Sequence, residues 1–155
     1  MLPATRYFFS PSMNIPVDIF RLSPDTPIPE YKTTGAVAFD LAVIESKPIE
    51  PGQTVFFETG LVVCVPEGHA LILASRSSNA KKQIGLANGI GVIDQDYCGP
   101  NDQLYLAVRN FGAETYVVEK GERIAQGFII PIAKATFRLV DKPASPDRGG
   151  FGSTG

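Results

Sequence analysis

Leu104-Tyr105-Leu106-Ala107-Val108-Arg109 is the stretch on which the fold turns. Leu104, Leu106 and Val108 share one face and Tyr105, Ala107 and Arg109 the other, the two-residue period of a strand with one buried side. Outward from it, turn-forming pairs stand at Pro51-Gly52, Pro66-Glu67-Gly68, Phe111-Gly112 and Lys120-Gly121. Thirteen prolines and fifteen glycines punctuate short runs rich in β-branched and aromatic residues. The pattern predicts strands over Val17–Leu22, Val37–Val43, Thr54–Glu58, Leu61–Val65, Ala70–Ala74, Ile90–Ile93, Leu104–Asn110, Thr115–Val118, Gly127–Ile132 and Phe137–Val140. Only Ser78–Gln83 reads as helix, with Ser77 or Ser78 capping its start and Gly85 ending it. The expected class is all-β, a jelly roll or sandwich with one short helix.

The chain has 155 residues and 16.7 kDa, the size of one domain with one core. We expect a β core over 15–141, an N-terminal arm over 1–14, and a glycine-rich C-terminal lid over 142–155. Met13 is a candidate alternative start. Hydrophobic residues at 44% and charged residues at 19% exclude a disordered chain, and a net charge of −2 gives no bulk field for a nucleic-acid polymer. No apolar run reaches the length of a membrane span, so no membrane partner is expected. The two cysteines, Cys64 and Cys98, stand far apart in sequence, which argues against zinc ribbons and disulfide frameworks and for a reducing cytoplasm. The single histidine, His69, sits in a turn-like stretch and reads as a surface or hydrogen-bonded residue rather than a metal ligand.

Three segments carry residues suited to chemistry. Around Ser75-Arg76-Ser77-Ser78-Asn79 a strand runs into the lone helix, placing a guanidinium and hydroxyls where phosphate oxygens bind readily. An ordinary helix cap with a surface arginine is the simpler reading of the same residues. In Asn88-Gly89-Ile90-Gly91-Val92-Ile93-Asp94-Gln95-Asp96-Tyr97, Gly89 and Gly91 permit close backbone approach to a flat ligand, and carboxylates and a tyrosine follow. Asp94 and Asp96 also suit plain turn formation, and a calcium loop would need more oxygen ligands at fixed spacing. The end, Arg148-Gly149-Gly150-Phe151-Gly152-Ser153-Thr154-Gly155, combines a guanidinium, an aromatic ring, hydroxyls and amide donors, although its composition equally fits a free terminus. Its glycine spacing matches a dinucleotide fingerprint, but no helix can follow it, and a Gly-Lys phosphate loop is absent from the chain.

Five segments in order, Gly35-Ala36-Val37-Ala38-Phe39-Asp40-Leu41, Ser75-Arg76-Ser77-Ser78, Gly91 to Gly99, Gly121-Glu122-Arg123-Ile124-Ala125-Gln126 and Arg148 to Gly155, together resemble the five motifs of the trimeric deoxyuridine triphosphatases (dUTPases). The resemblance implies a jelly-roll-like fold, a homotrimer with shared sites, and hydrolysis of dUTP to dUMP and pyrophosphate. It also implies Mg2+ held mainly by substrate phosphates and water, with no direct protein ligand. On this resemblance Asp94 is the base that activates water, Tyr97 packs under the deoxyribose, and Asn88 and Gly91 lie in the hairpin that reads uracil. Arg76, Ser77, Ser78 and Gln126 meet the phosphates; Arg148, Phe151, Gly152 and Ser153 belong to the closing tail; Asp40 is a supporting acid. Ala38 and Ser75 stand where the family usually has glycine and proline, and Arg148 stands closer to Phe151 than in the family pattern. Two rivals are a non-catalytic nucleotide-binding or regulatory module and a deoxycytidine triphosphate deaminase. The latter needs a glutamate in the strand that here reads Leu104 to Val108 without an acid.

Overall fold

In the computed structural model, which describes residues 14–150, the alternation around Leu106 becomes the two faces of a strand. β9 (Tyr105–Asn110) buries Leu106, Val108 and Asn110 and turns Tyr105 and Arg109 outward, with Leu104 fully buried just before it. It is the central strand of a three-stranded antiparallel sheet between β4 (Thr54–Glu58) and β7 (Ile84–Leu86). The turn after it is fixed by Asn110, whose Nδ2 donates to Ile49 O at 2.8 Å and to Glu114 O at 2.7 Å while its Oδ1 accepts from Gly112 N at 2.8 Å. A buried amide is thereby fully engaged, which removes the cost of placing it in the core.

A second antiparallel sheet carries the candidate site residues. Its order is β2 (Phe39–Ala42), β11 (Arg123–Pro131), β6 (His69–Ser75) and β8 (Ile90–Ile93). Two ribbons complete the fold: β1 (Asp18–Arg21) pairs with β5 (Leu61–Cys64), and β3 (Lys47–Ile49) with β10 (Tyr116–Val118). Leu41, Ile49, Phe57, Leu71, Leu104, Val118 and Ile124 are completely buried and join the sheets in one core. Each such side chain contributes about 1.5–3 kcal/mol by leaving water. The architecture is the jelly-roll-like all-β fold expected, with one short helix, α1 (Asn79–Lys82), among the described residues.

The structure departs from the expected elements in identifiable places. α1 ends at Gln83, which takes the left-handed conformation at φ 54°, and Gly85 belongs to β7 rather than ending the helix. Ser78 precedes the helix, yet neither it nor Ser77 makes a side-chain cap. β11 begins four residues before the expected Gly127, because Arg123 to Gln126 already pair with β2. β3 and β7 were unmarked by pattern; each has 3 residues and is held by a partner distant in sequence. Phe137–Val140 forms no strand: beyond Pro131 the chain runs as an irregular arm, with Phe137 94% and Leu139 99% exposed. Residues 142–150, the described part of the expected lid, are likewise exposed, whereas 1–13 and 151–155, including most of the expected N-terminal arm, lie outside the described residues. Among the described residues, no helix is long and apolar enough to cross a membrane.

The disulfide expectation needs correction. Cys64 at the end of β5 and Cys98 after β8 are joined as a disulfide with Cα atoms 5.0 Å apart. A sequence separation of 34 concealed a contact that the sheet topology creates.

Candidate active site

The first cluster forms where β2, β11 and β6 lie side by side. Gln126 on β11 is opposite both Asp40 on β2 and Ala74 on β6, so the ends of three strands converge on Arg76. Arg76 Nε donates to Asp40 Oδ1 at 2.8 Å, and its Nη1 donates to Arg123 O at 3.0 Å. Arg123 Nη1 reaches the other oxygen, Asp40 Oδ2, at 3.5 Å. Asp40 is largely buried and fixes the plane of the Arg76 guanidinium, which keeps spare N–H donors for an oxyanion. Gln126 Nε2 donates to Ser75 O at 3.0 Å, leaving its own carbonyl oxygen as an acceptor.

The Arg76-Ser77-Ser78 turn is anchored from beneath. Asn79 is buried, and its Nδ2 donates to Ile124 O at 2.7 Å, tying the turn to β11. Ser75 Oγ accepts from Leu86 N at 2.9 Å and ties the same turn to β7. Ser77 is exposed, and Ser78 Oγ is buried without a hydrogen-bond partner among the described residues. Asn79, Arg123 and Ser75 are positioning residues to which sequence reasoning gave no role. Arg123 lay inside a recognised motif, but its coupling to Asp40 depends on strand order.

The second cluster surrounds β8. Gly89 has φ 73° in the turn from β7, where its amide donates to Leu86 O at 3.1 Å and Asn88 O accepts from Ile90 N at 2.9 Å. Asn88 is exposed at that turn. Gly91 is opposite Leu73 on β6, and a Cβ there would stand 3.1 Å from Leu73 Cβ. Close packing of β8 on β6 is therefore one reason for this glycine. Asp94 directly follows β8 and is exposed; its carbonyl accepts from Tyr97 N at 3.4 Å, closing a turn. Tyr97 is 36% exposed and its hydroxyl donates to Gln103 O at 3.0 Å. Burial, then the Asp102 carboxylate and Tyr105, pushes the Tyr97 phenol above its ordinary value and keeps it a donor.

A polar hollow of about 310 Å³ lies beside Asp94, lined also by His69, Gln95, Asp96, Ile132 and Lys134. Gln95 Nε2 donates to His69 O at 3.0 Å. The His69 ring bonds to Glu67 O at 2.9 Å through Nδ1, in keeping with a hydrogen-bonded residue. A larger apolar groove of about 1030 Å³, lined by residues including Val17, Tyr31, Val37, Phe39 and Ile129, contains none of the candidate residues.

The two clusters sit at opposite ends of the β6–β8 ladder. Ala74 pairs with Ile90 and Leu71 with Ile93, so Asp94 lies beyond Leu71 while Arg76 extends past Ala74. Along β6 the separation is about 20 Å at a strand rise of roughly 3.3 Å per residue. The chain brings Asp40, Arg76, Ser77, Ser78 and Gln126 together, with Asn88 near that end, and puts Asp94 and Tyr97 at the other. Arg148 is exposed on the arm, and Phe151, Gly152 and Ser153 lie outside the described residues.

The donor set bears on magnesium. Among the described residues no three His, Cys, Asp or Glu side chains gather into a cage, and both Asp40 oxygens are committed to guanidinium groups. Hydroxyls, amides and arginine donors suit phosphate oxygens, so this chain fits an ion held by substrate and water.

Comparison with known proteins agrees with this geometry. The dUTPase family model matches residues 25–155. The deoxyuridine 5'-triphosphate nucleotidohydrolase of Acinetobacter baylyi is 40% identical over 141 residues, covering 87% of this chain and 92% of that protein. The protein of the same name from Desulfitobacterium hafniense is 39% identical over 150 residues, covering 93% and 97%. The crystal structure of dUTPase from Streptococcus mutans superposes with a TM-score of 0.68 at 34% identity, covering 81% of this chain and 98% of that one. A Staphylococcus bacteriophage 80alpha dUTPase mutant, solved with dUpNHpp, superposes with a TM-score of 0.81 at 25% identity, covering 92% and 99%. With all five expected motifs inside the matched region, the chain belongs to the dUTPase family.

Proposed function

We propose that this protein hydrolyses dUTP to dUMP and pyrophosphate. The observation that carries the mechanism is the position of Asp94, a carboxylate presented at the exposed end of β8 one turn from Tyr97. It accepts a proton as water oxygen attacks the α-phosphorus; the bond to the bridging oxygen breaks and pyrophosphate leaves. Arg76, fixed by Asp40, and the exposed Ser77 hydroxyl offer donors to the charged phosphates, with Ser78 the buried hydroxyl of the same segment. Gln126 assists beside them. Magnesium, when bound, spreads the negative charge of the triphosphate. Asn88 and the backbone near Gly91 read uracil, and Tyr97 excludes a 2′-hydroxyl. Arg148, Phe151, Gly152 and Ser153 close over the nucleotide.

We further propose a homotrimer with sites shared between subunits. The separation of Asp94 from Arg76 within one chain supports this reading, as does an arm whose Phe137 and Leu139 find no cover among the described residues. A cytoplasmic setting is our reading of location.

Deamination finds no support: the outward positions of β9 are Tyr105, Ala107 and Arg109, and none offers a carboxylate. The deciding experiment compares hydrolysis of dUTP, dCTP, dTTP and UTP with magnesium and with chelator. Rapid pyrophosphate release from dUTP, with an efficiency about 10⁴-fold lower on dCTP, is expected from mismatched buried hydrogen-bonding groups. Comparable efficiency on dCTP or UTP rejects the assignment, and binding without pyrophosphate release favours the non-catalytic module.

A further inference from the structure

The segment that follows Asp94 is fastened to β5 at both of its ends. At the far end, Gln103 Oε1 accepts from Gly60 N at 3.0 Å, and Leu104 N donates to Leu61 O at 2.7 Å, both at the start of β5. At the near end, Cys98 is joined to Cys64, the last residue of β5. The loop thus runs the length of β5, about 10 Å. One fastening consists of hydrogen bonds and the other is covalent. Within the loop, Gly99 N donates to Asp102 Oδ2 at 2.6 Å, and Tyr97 reaches across it to Gln103 O. Cys98 is the immediate neighbour of Tyr97, so its attachment sets where the Tyr97 ring begins.

We propose that Cys64 and Cys98 form a redox-controlled latch on the nucleotide site. The inference rests on the reading of Tyr97 as the residue under the deoxyribose. Both cysteines are partly exposed, which gives a small thiol or disulfide access to them. Their Cα separation of 5.0 Å falls within the span of about 4.4–6.8 Å that a disulfide bridges. They are also the only cysteines of the chain, so no competing pairing exists within it.

Closing the latch consumes an oxidant of the disulfide class, for example oxidised glutathione. One cysteine thiolate attacks a glutathione sulfur and releases one glutathione thiolate. The second cysteine then displaces the other glutathione from the mixed disulfide. One S–S bond is broken and one formed; two electrons and two protons pass from the cysteines to the two glutathione molecules. A dithiol reverses the sequence. With the latch open, Tyr97 is held only by its hydrogen bonds and the loop pivots about Gln103. Substrate binding must then order the loop, a cost that appears in KM, while Asp94 on the β8 side keeps its place for hydrolysis.

The test uses the full-length wild-type protein, equilibrated with oxidised glutathione or with dithiothreitol, and assayed with dUTP after thiol titration. The expected result is no free thiol in the oxidised sample, two in the reduced one, and KM about five- to tenfold higher after reduction with kcat nearly unchanged. Cys64→Ser and, as a second variant, Cys64→Ala should show the reduced KM in both buffers. Equal KM values in the two fully characterised wild-type states overturn the latch, as do two free thiols persisting in oxidised glutathione. Redox dependence that survives in the Cys64 variants overturns it too. Absence of dUTP hydrolysis in either state instead rejects the functional reading beneath it.

Discussion

Asp94 has no cationic partner among the described residues, whereas Asp40 is held by Arg76 and Arg123. One is free to take a proton and the other is fixed as an orienting charge. Asp94→Asn should therefore lower kcat by about 10²- to 10⁴-fold while a non-hydrolysable dUTP analogue still binds. The check is single-turnover hydrolysis beside a binding isotherm, and near-normal turnover would remove Asp94 from the role of base. At this scale the sequence was informative because the motif residues are few, chemically distinct and contiguous. Asn79 escaped notice because a buried asparagine bonded to Ile124 O looks in sequence like any residue that starts a helix. Gly91 was read toward a ligand, yet its packing on Leu73 becomes visible only when β6 and β8 are in register.

Among the elements, α1 has 4 residues and owes its place to side chains rather than to its own length. Lys82 pairs with Glu122 on the turn before β11, and Tyr116 Oη donates to the same carboxylate at 2.8 Å. Burial opposes the charge on Glu122, but the Lys82 ammonium, the Glu119 amide and the Tyr116 hydroxyl hold its carboxyl below the ordinary 4.5. Burial likewise opposes the charge on Lys82, yet Glu122 raises it above the ordinary 10.5. For the depressed acid, stability is present above pH 4.5 and is lost as pH falls through the folded value. For the raised base, stability is present below pH 10.5 and is lost as pH rises through the folded value. Glu122→Gln should cost about 1–2 kcal/mol at neutral pH and flatten the acid limb of a stability profile, measured by denaturant unfolding from pH 3 to 7. An unchanged acid limb would show that another group governs it. Elements were legible where a strand carries its own alternation: β4 and β8 begin and end where expected. β3 was not, since Lys47-Pro48-Ile49 carries a proline and owes its extended form to β10. Phe137–Val140 shows the converse, an alternating run with no neighbouring strand among the described residues to complete it.

For the whole molecule, the decisive quantity is the roughly 20 Å along β6 that separates the Arg76 cluster, our proposed phosphate site, from Asp94. On the proposed trimer, a site that uses both takes them from different copies. Asp94→Asn and Arg76→Ala chains, each inactive alone, should recover activity when unfolded together and reassembled in equal amounts. Random mixing leaves about one quarter of shared sites with both residues intact. The measurement is dUTP hydrolysis by the mixture, with mass analysis confirming mixed assemblies; no recovery despite mixing would reject sharing. This division could not be read from sequence, where Arg76 and Asp94 look like neighbouring motifs, because it depends on an antiparallel register that carries them apart. The uncovered arm after β11 has a consequence of its own. A chain that has not met its partners displays Phe137 and Leu139 on an irregular backbone, the kind of segment that chaperones bind and proteases cut. In the proposed homotrimer, a subunit left without partners is then expected to be cleaved sooner than an assembled one.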